Sequence, residues 1–268
     1  MNQISILGCG WLGLPLAKQL ITKGYSVKGT TTTPQKTESL QQLDIAPYVI
    51  ALQENKVVGD FSSFLDGSKI LIINIPPSLR KDNNESFVAK INILIPMIES
   101  SQVDKVLFVS STSVYGANNG VITEITKPIL PVTESGKQLL EVERLLQSNT
   151  RFKTTILRFG GLIGADRHPV HYLAGKENVA NPNAAINLIH QDDCINIILK
   201  IIENEAWADT FNAVAPYHPS RKEYYTEKAR EKNLPLPSFS REEVSKVKMI
   251  AVDKVKEVLK YGFTLNNL

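Results

Sequence analysis

Residues 3–24, QISILGCGWLGLPLAKQLITKG, place a G-x-G-x-x-G string between an apolar run and a helix-period run. The apolar run 3–8 reads as a strand. Leu12, Leu16 and Leu20 recur every four residues, and Ala17 and Ile21 widen the stripe, so 14–24 reads as an amphipathic helix. Pro15 suits a first helical turn and Gly24 an end. The string therefore leaves a strand and opens a helix, the setting in which it has a mechanism. Gly8 permits a tight turn, Gly10 lets a diphosphate approach the backbone, and Gly13 lets the helix lie close to the sheet. The amides of Trp11 and Leu12 and the positive end of the helix dipole would then face phosphate. A glycine turn without a ligand is the alternative.

Strand-like runs recur at 25–30, 48–52, 69–75, 105–111, 153–159 and 210–215, with helical patterns near 85–99, 135–147 and 191–204. Pro96 predicts a kink or an early stop in the first of these helices. Strands alternating with helices imply a parallel sheet covered on both faces, which suits near-continuous apolar strands. After 215 the chain carries more charge. The stretch LPLPSFSREE (234–243) reads as a loop followed by a helix start. The expected organisation is a nucleotide domain over 1–164, to which 186–215 returns. A small substrate lobe is expected from 165–185, a mobile joining loop, and 216–268.

The charge balance, 30 basic against 27 acidic residues, is mild, and the charges are scattered. No basic run with interleaved aromatics suggests nucleic acid. No apolar run is long enough for a membrane span. Cys9 and Cys194 form neither a disulfide framework nor a zinc spacing, which points to a reduced, cytoplasmic setting. The HPVH spacing at 168–171 has no third ligand, so no metal is expected.

The second strand ends KGTTTTPQK (28–36), without the carboxylate that usually accepts from the ribose of NAD. Hydroxyls of Thr30, Thr31 and Thr32, with Lys36 nearby, would tolerate a 2′-phosphate better than an acid would. This favours NADP, with NAD as the alternative; a solvated polar turn would use the same residues. NIPPS (74–78) follows the fourth strand. Its two prolines remove two amide donors and stiffen a loop at the carboxyl edge.

The ordered set of the glycine loop, VLFVSSTSVYG (106–116), TILRFGGLIGADRHP (155–169) and INLIHQDDC (186–194) resembles the extended short-chain dehydrogenase/reductase family, the NAD-dependent epimerase/dehydratase group. The resemblance covers most of the chain. It implies an α/β fold, a Rossmann-type doubly wound parallel sheet with a small C-terminal substrate lobe, and a small-molecule substrate. It matches Ser111 to the hydroxyl that holds the substrate oxygen and Lys137 to the lysine that binds the nicotinamide ribose. Glu141 fits the pattern after that lysine. Ile75, Pro76, Ser110 and Phe159 fall on segments that line the cofactor, and His190 falls on one that fixes the lobe.

Three departures mark an atypical branch. The glycine loop is G-x-G-x-x-G instead of G-x-x-G-x-x-G, NIPPS replaces a small Ala-rich loop, and the tyrosine position is Thr133. An aliphatic hydroxyl is a far weaker acid than a phenol, so Thr133 does not serve as the main general acid. Ser135 and Gln138 read as an S-x-x-Q capping box that would start the helix at 135. Tyr115, His168, His171 and Tyr172 are the candidate replacement acids, each with packing or surface as its alternative. Arg167 could meet an anionic group or form a surface salt bridge. The expected function is an NAD(P)-dependent oxidoreductase or epimerase; a dinucleotide sensor without chemistry is the second reading.

Overall fold

The computed structural model describes residues 3–77, 85–127, 131–241 and 247–264. Seven strands form one sheet: β1 (Gln3–Leu7), β2 (Ser26–Thr31), β3 (Ile45–Val49), β4 (Ser68–Ile73), β5 (Lys105–Ser111), β6 (Lys153–Phe159) and β7 (Thr210–Ala213). Their order is β7-β6-β5-β4-β1-β2-β3, and every pairing is parallel. This is an α/β, Rossmann-type doubly wound sheet. Its strand order reverses between β1 and β4, and in such folds ligands bind outside the carboxyl ends at that crevice.

The strands are legible because both faces are covered. Ile70, Leu71, Ile72 and Ile73 of β4 are all buried, as are Val106, Leu107 and Phe108 of β5. Helices α1 (Gly13–Thr22), α2 (Glu134–Gln147) and α3 (Gln191–Glu203) bury their apolar stripes on this sheet. Burial of that kind is large: truncating a core leucine such as Leu16 to Ala costs about 2–5 kcal/mol.

The third strand is displaced from the expected 48–52. Ile45 is buried and pairs with Val27, so the strand begins there. The Ile50 amide bonds the Thr31 carbonyl at 3.0 Å, and the chain then leaves the sheet. Ala51–Leu52 pairs antiparallel with Val57–Val58 instead. Pro47 is tolerated because β3 is an edge strand. At Pro96 the helix is interrupted as expected: Phe87–Asn92 ends and Ile95–Glu99 begins. The proline ring excludes the carbonyl four residues back, at Asn92.

A second, smaller core joins Ile163, Val170, Ile186, Leu188, Tyr224, Tyr225 and Ala229. It forms around α4 (Arg221–Glu231), a helix the apolar pattern does not reveal because only Tyr224, Tyr225 and Ala229 are buried. Its visible signal is the capping box of Ser220 and Glu223. Segment 165–185 is tied to the chain near 235–240, with Gly175 donating to Pro235 and Val179 to Ser238. Residues 234–241 form no helix; Glu242 and Glu243, where a helix start was expected, and Ser78 lie outside the described residues. No helix among the described residues is long and apolar enough to cross a membrane.

Candidate functional site

The glycine loop is built by close backbone contacts. Gly8 has φ +108°, and a Cβ there would stand 2.5 Å from the Asn74 carbonyl oxygen. A Cβ on Gly13 would stand 2.1 Å from the Gly8 carbonyl oxygen. The Asn74 amide donates to that same oxygen at 3.1 Å, so the β4 loop clamps the turn. Sequence reasoning passed over Asn74, whose only signal is its place directly after β4. Gly10 is different: it is exposed, and a Cβ on it would meet nothing within 4 Å. Helix α1 starts with no side-chain cap and no acidic residue in its first turn. Its leading amides are therefore open to an anion.

A cavity of about 560 Å³ covers this loop, lined by Gly10, Trp11, Lys18, Thr31 and Lys36 among others. The three threonines divide. Thr30 is buried, and its hydroxyl accepts the Gly8 amide at 2.8 Å, so it holds the turn. Thr31 lines the cavity, and Thr32 is exposed outside that lining. Ser39 joins Lys36 in the wall, and no residue of β2 brings a carboxylate there. Leu12 is buried, while Ile75 abuts Gly8 and Pro76 is exposed.

Around β5 and β6 the polar groups engage one another. Ser110 donates to Glu143 at 2.5 Å. Arg158 grips the same carboxylate through Nε and Nη2, the latter at 2.6 Å. Its Nη1 donates to the Tyr115 hydroxyl at 2.8 Å, and Tyr115 donates to Asn212 at 2.8 Å. Glu143, Arg158 and Tyr115 are all buried. Burial pushes the Tyr115 phenol up, against the pull of Arg158. Tyr115 is thus removed as a replacement acid, and the Ser110 hydroxyl proton is committed to Glu143. Phe159 is buried beside this network.

Ser111 ends β5, and its hydroxyl accepts the Ser113 amide at 3.1 Å, leaving its proton free to donate. Helix α2 packs on that turn so tightly that a Cβ on Gly136 would stand 3.0 Å from the Ser113 carbonyl oxygen. Thr133 is its N-cap and accepts the Gly136 amide at 3.1 Å. The expected Ser135–Gln138 box does not form. Gln138 instead accepts the Phe87 amide at 2.6 Å and donates to Glu134 at 3.0 Å, because α2 lies against helix Phe87–Asn92. Lys137 is exposed, with Glu134 at 3.6 Å. Glu141 is exposed in a separate groove between α2 and that helix.

His168 does not offer a proton. Its Nδ1 accepts the Val170 amide at 3.1 Å, so Nε2 carries the hydrogen and donates to the Tyr224 hydroxyl at 2.8 Å. Burial, then Lys232 and Lys228, hold its pKa down to about 4. His171 and Tyr172 lie exposed on the short helix Val170–Leu173. His190 caps α3 by accepting the Asp192 amide at 3.2 Å. Among the described residues no group of three His, Cys, Asp or Glu could hold a metal.

A doubly wound sheet with an open glycine turn at its switch point defines the class: NAD-binding, Rossmann-type proteins resembling short-chain dehydrogenases/reductases. Residues 3–128 match the family described as the NAD binding domain of 6-phosphogluconate dehydrogenase. Protein YeeZ of Escherichia coli strain K12 is 32% identical over 241 residues, covering 89% of this chain and 87% of that protein. The chain belongs to the YeeZ family, within this short-chain dehydrogenase/reductase-like group. A chloroplastic "epimerase family protein SDR39U1 homolog" of Arabidopsis thaliana is 21% identical over 88% of this chain and 74% of its own length. The fold superposes on UDP-glucuronic acid 4-epimerase from Bacillus cereus, solved with NAD. The TM-score is 0.79 at 19% identity, over 98% of this chain and 91% of that one.

Proposed function

We propose that this protein is an NAD(P)-dependent oxidoreductase of the epimerase/dehydratase type, acting on a small hydroxyl- or carbonyl-bearing substrate. One observation carries the reading: the space above Gly10, at the uncapped start of α1, is open to a diphosphate. The family match over 3–128 and the NAD in the B. cereus neighbour support it. A preference for NADP is supported by Thr31, Lys36 and Ser39 in the cavity wall, where NAD proteins usually place an acid.

The residues present fit such a cofactor, which would supply or accept a hydride when bound. Gly8 and Gly13 set the turn, and Gly10, Trp11 and Leu12 hold the diphosphate. Ile75, Pro76 and Phe159 border the nicotinamide end, together with the Ser110 backbone. Lys137, exposed at the start of α2, reaches the ribose. Ser111, with a free hydroxyl proton, holds the reacting oxygen. The small core around α4, with 165–185 and 216–268, forms the substrate side. This is an atypical branch, since Thr133 caps a helix where a tyrosine would donate a proton.

Thermal melting with NADP, NAD or neither tests the binding step. A ligand at one hundred times its dissociation constant adds about 2.7 kcal/mol. No shift with either dinucleotide would end the proposal, and a shift with NAD alone would end the NADP preference. The Thr133 cap favours a second reading, a dinucleotide sensor without chemistry. Consumption of reduced cofactor with a panel of carbonyl compounds decides for the enzyme; binding with no consumption decides for the sensor.

A further inference from the structure

We propose that Arg167 is a direct ligand for the diphosphate of the dinucleotide held over Gly10; this assignment rests on the binding reading above. Residues 164–167 form a closed turn, with Gly164 and Arg167 exchanging backbone hydrogen bonds at 2.8 and 3.2 Å. The turn sits on the side chain of Trp11, which lies inside the glycine loop itself. A Cβ on Gly164 would stand 2.8 Å from the indole. The indole N–H donates to Asp166 at 3.0 Å, and the Arg167 guanidinium lies 5.0 Å from the ring centroid. Gln191 fixes the same residue from α3, donating to the Trp11 carbonyl at 2.6 Å.

Asp166 of this turn and Gln191 line the cavity that Gly10 also lines, and Arg167 follows directly after that lining in the chain. Arg167 itself is exposed. Among the described residues no carboxylate lies within ion-pair distance of it, so the surface salt bridge that its sequence position allowed is not made. A guanidinium stacked on an aromatic ring keeps its edge donors free and matches phosphate oxygens two at a time. The neighbouring carboxylate of Asp166 is turned onto the indole N–H, one residue from Gly10 in the chain. A cation beside it is what a doubly charged ligand at this loop needs.

Isothermal titration of the full chain with NADP, ADP and adenosine tests the assignment. In Arg167→Met, affinity for NADP and ADP falls at least tenfold while affinity for adenosine holds. Arg167→Lys recovers part of the loss, because an ammonium cannot bind two oxygens in a fixed fork. Equal ADP affinity in Arg167→Met and the parent overturns the assignment and leaves dinucleotide binding standing. An equal fall for adenosine overturns it too, since that marks lost packing on Trp11. A parent chain that binds neither NADP nor NAD removes both claims.

Discussion

The carboxyl edge of the sheet has two halves that treat their polar groups in opposite ways. At β1, β2 and α1 the groups are left open: α1 has no cap, Gly10 faces empty space, and Lys36 and Thr31 line a cavity. At β5, β6 and α2 they are engaged: Thr133 caps α2, and Ser110 and Arg158 hold Glu143. The first half has the character of a binding surface. The second is knit together, with the Ser111 hydroxyl proton and the exposed Lys137 ammonium, 3.6 Å from Glu134, left toward solvent. The groups a nucleotide would meet are open, while those around the expected chemistry are committed to holding the fold.

The largest effect should come from breaking the closed half at its centre. Glu143→Ala leaves the Arg158 guanidinium buried without its carboxylate, at a cost of about 3–5 kcal/mol in denaturant unfolding. Replacing both with apolar residues should cost much less. If Glu143→Ala is benign, the network does not hold this half together. In the open half, Gly13→Ala drives a methyl against the Gly8 carbonyl oxygen, 2.1 Å away. Overpacking of this kind costs about 1–3 kcal/mol, and the displaced loop should lose its dinucleotide as well.

The two halves also differ in how well the sequence discloses them. The glycine loop was legible because backbone proximity demands glycine, so the geometry of Gly8 and Gly13 is written in residue type. The central strands were legible for a related reason: a strand buried on both faces must be apolar throughout, whereas the edge strand β3, with Ile45 as its one buried residue, was displaced from its expected place. The closed half hides its logic. Glu143 and Arg158 lie on different elements, and nothing in the local pattern tells a buried charge from a solvated one. The start of α2 is capped by Thr133 and not by the expected Ser135. Packing of Gly136 on the Ser113 carbonyl and of Gln138 on the Phe87 amide selected Thr133. Helix α4 escaped notice because a polar helix needs only Tyr224, Tyr225 and Ala229 to dock it.

Smaller changes fall in the small core around α4 and at the start of α2. His168 is neutral in the folded chain, with a pKa near 4 against an ordinary value of 6.5. Its contribution is complete above about pH 6.5 and is lost as the pH falls toward 4, because the unfolded chain takes up the proton first. The loss should be about 1–2 kcal/mol once its half-buried position is allowed for. Comparing urea midpoints at pH 7 and 4.5 for the parent and His168→Gln isolates it; an equal drop in both would show that His168 is not held neutral. Thr133→Ala should cost about 1 kcal/mol through the lost cap, and Thr133→Ser almost nothing. An unchanged midpoint in Thr133→Ala would mean that the hydroxyl is not engaged and is open to a substrate.

The smallest change in stability falls at Gly10. A methyl added there meets no atom within 4 Å, and a surface substitution of this kind stays within about 0.5 kcal/mol. Gly10→Ala should therefore melt like the parent. Its affinity for NADP should nevertheless fall tenfold or more, because the methyl stands where the diphosphate must meet the backbone. Gly13→Ala offers no such separation, since there the fold and the ligand site fail together. An unaltered affinity in Gly10→Ala would place any nucleotide away from this loop. The open half would then be a turn whose exposed amides serve no ligand, and its difference from the closed half would be one of packing alone.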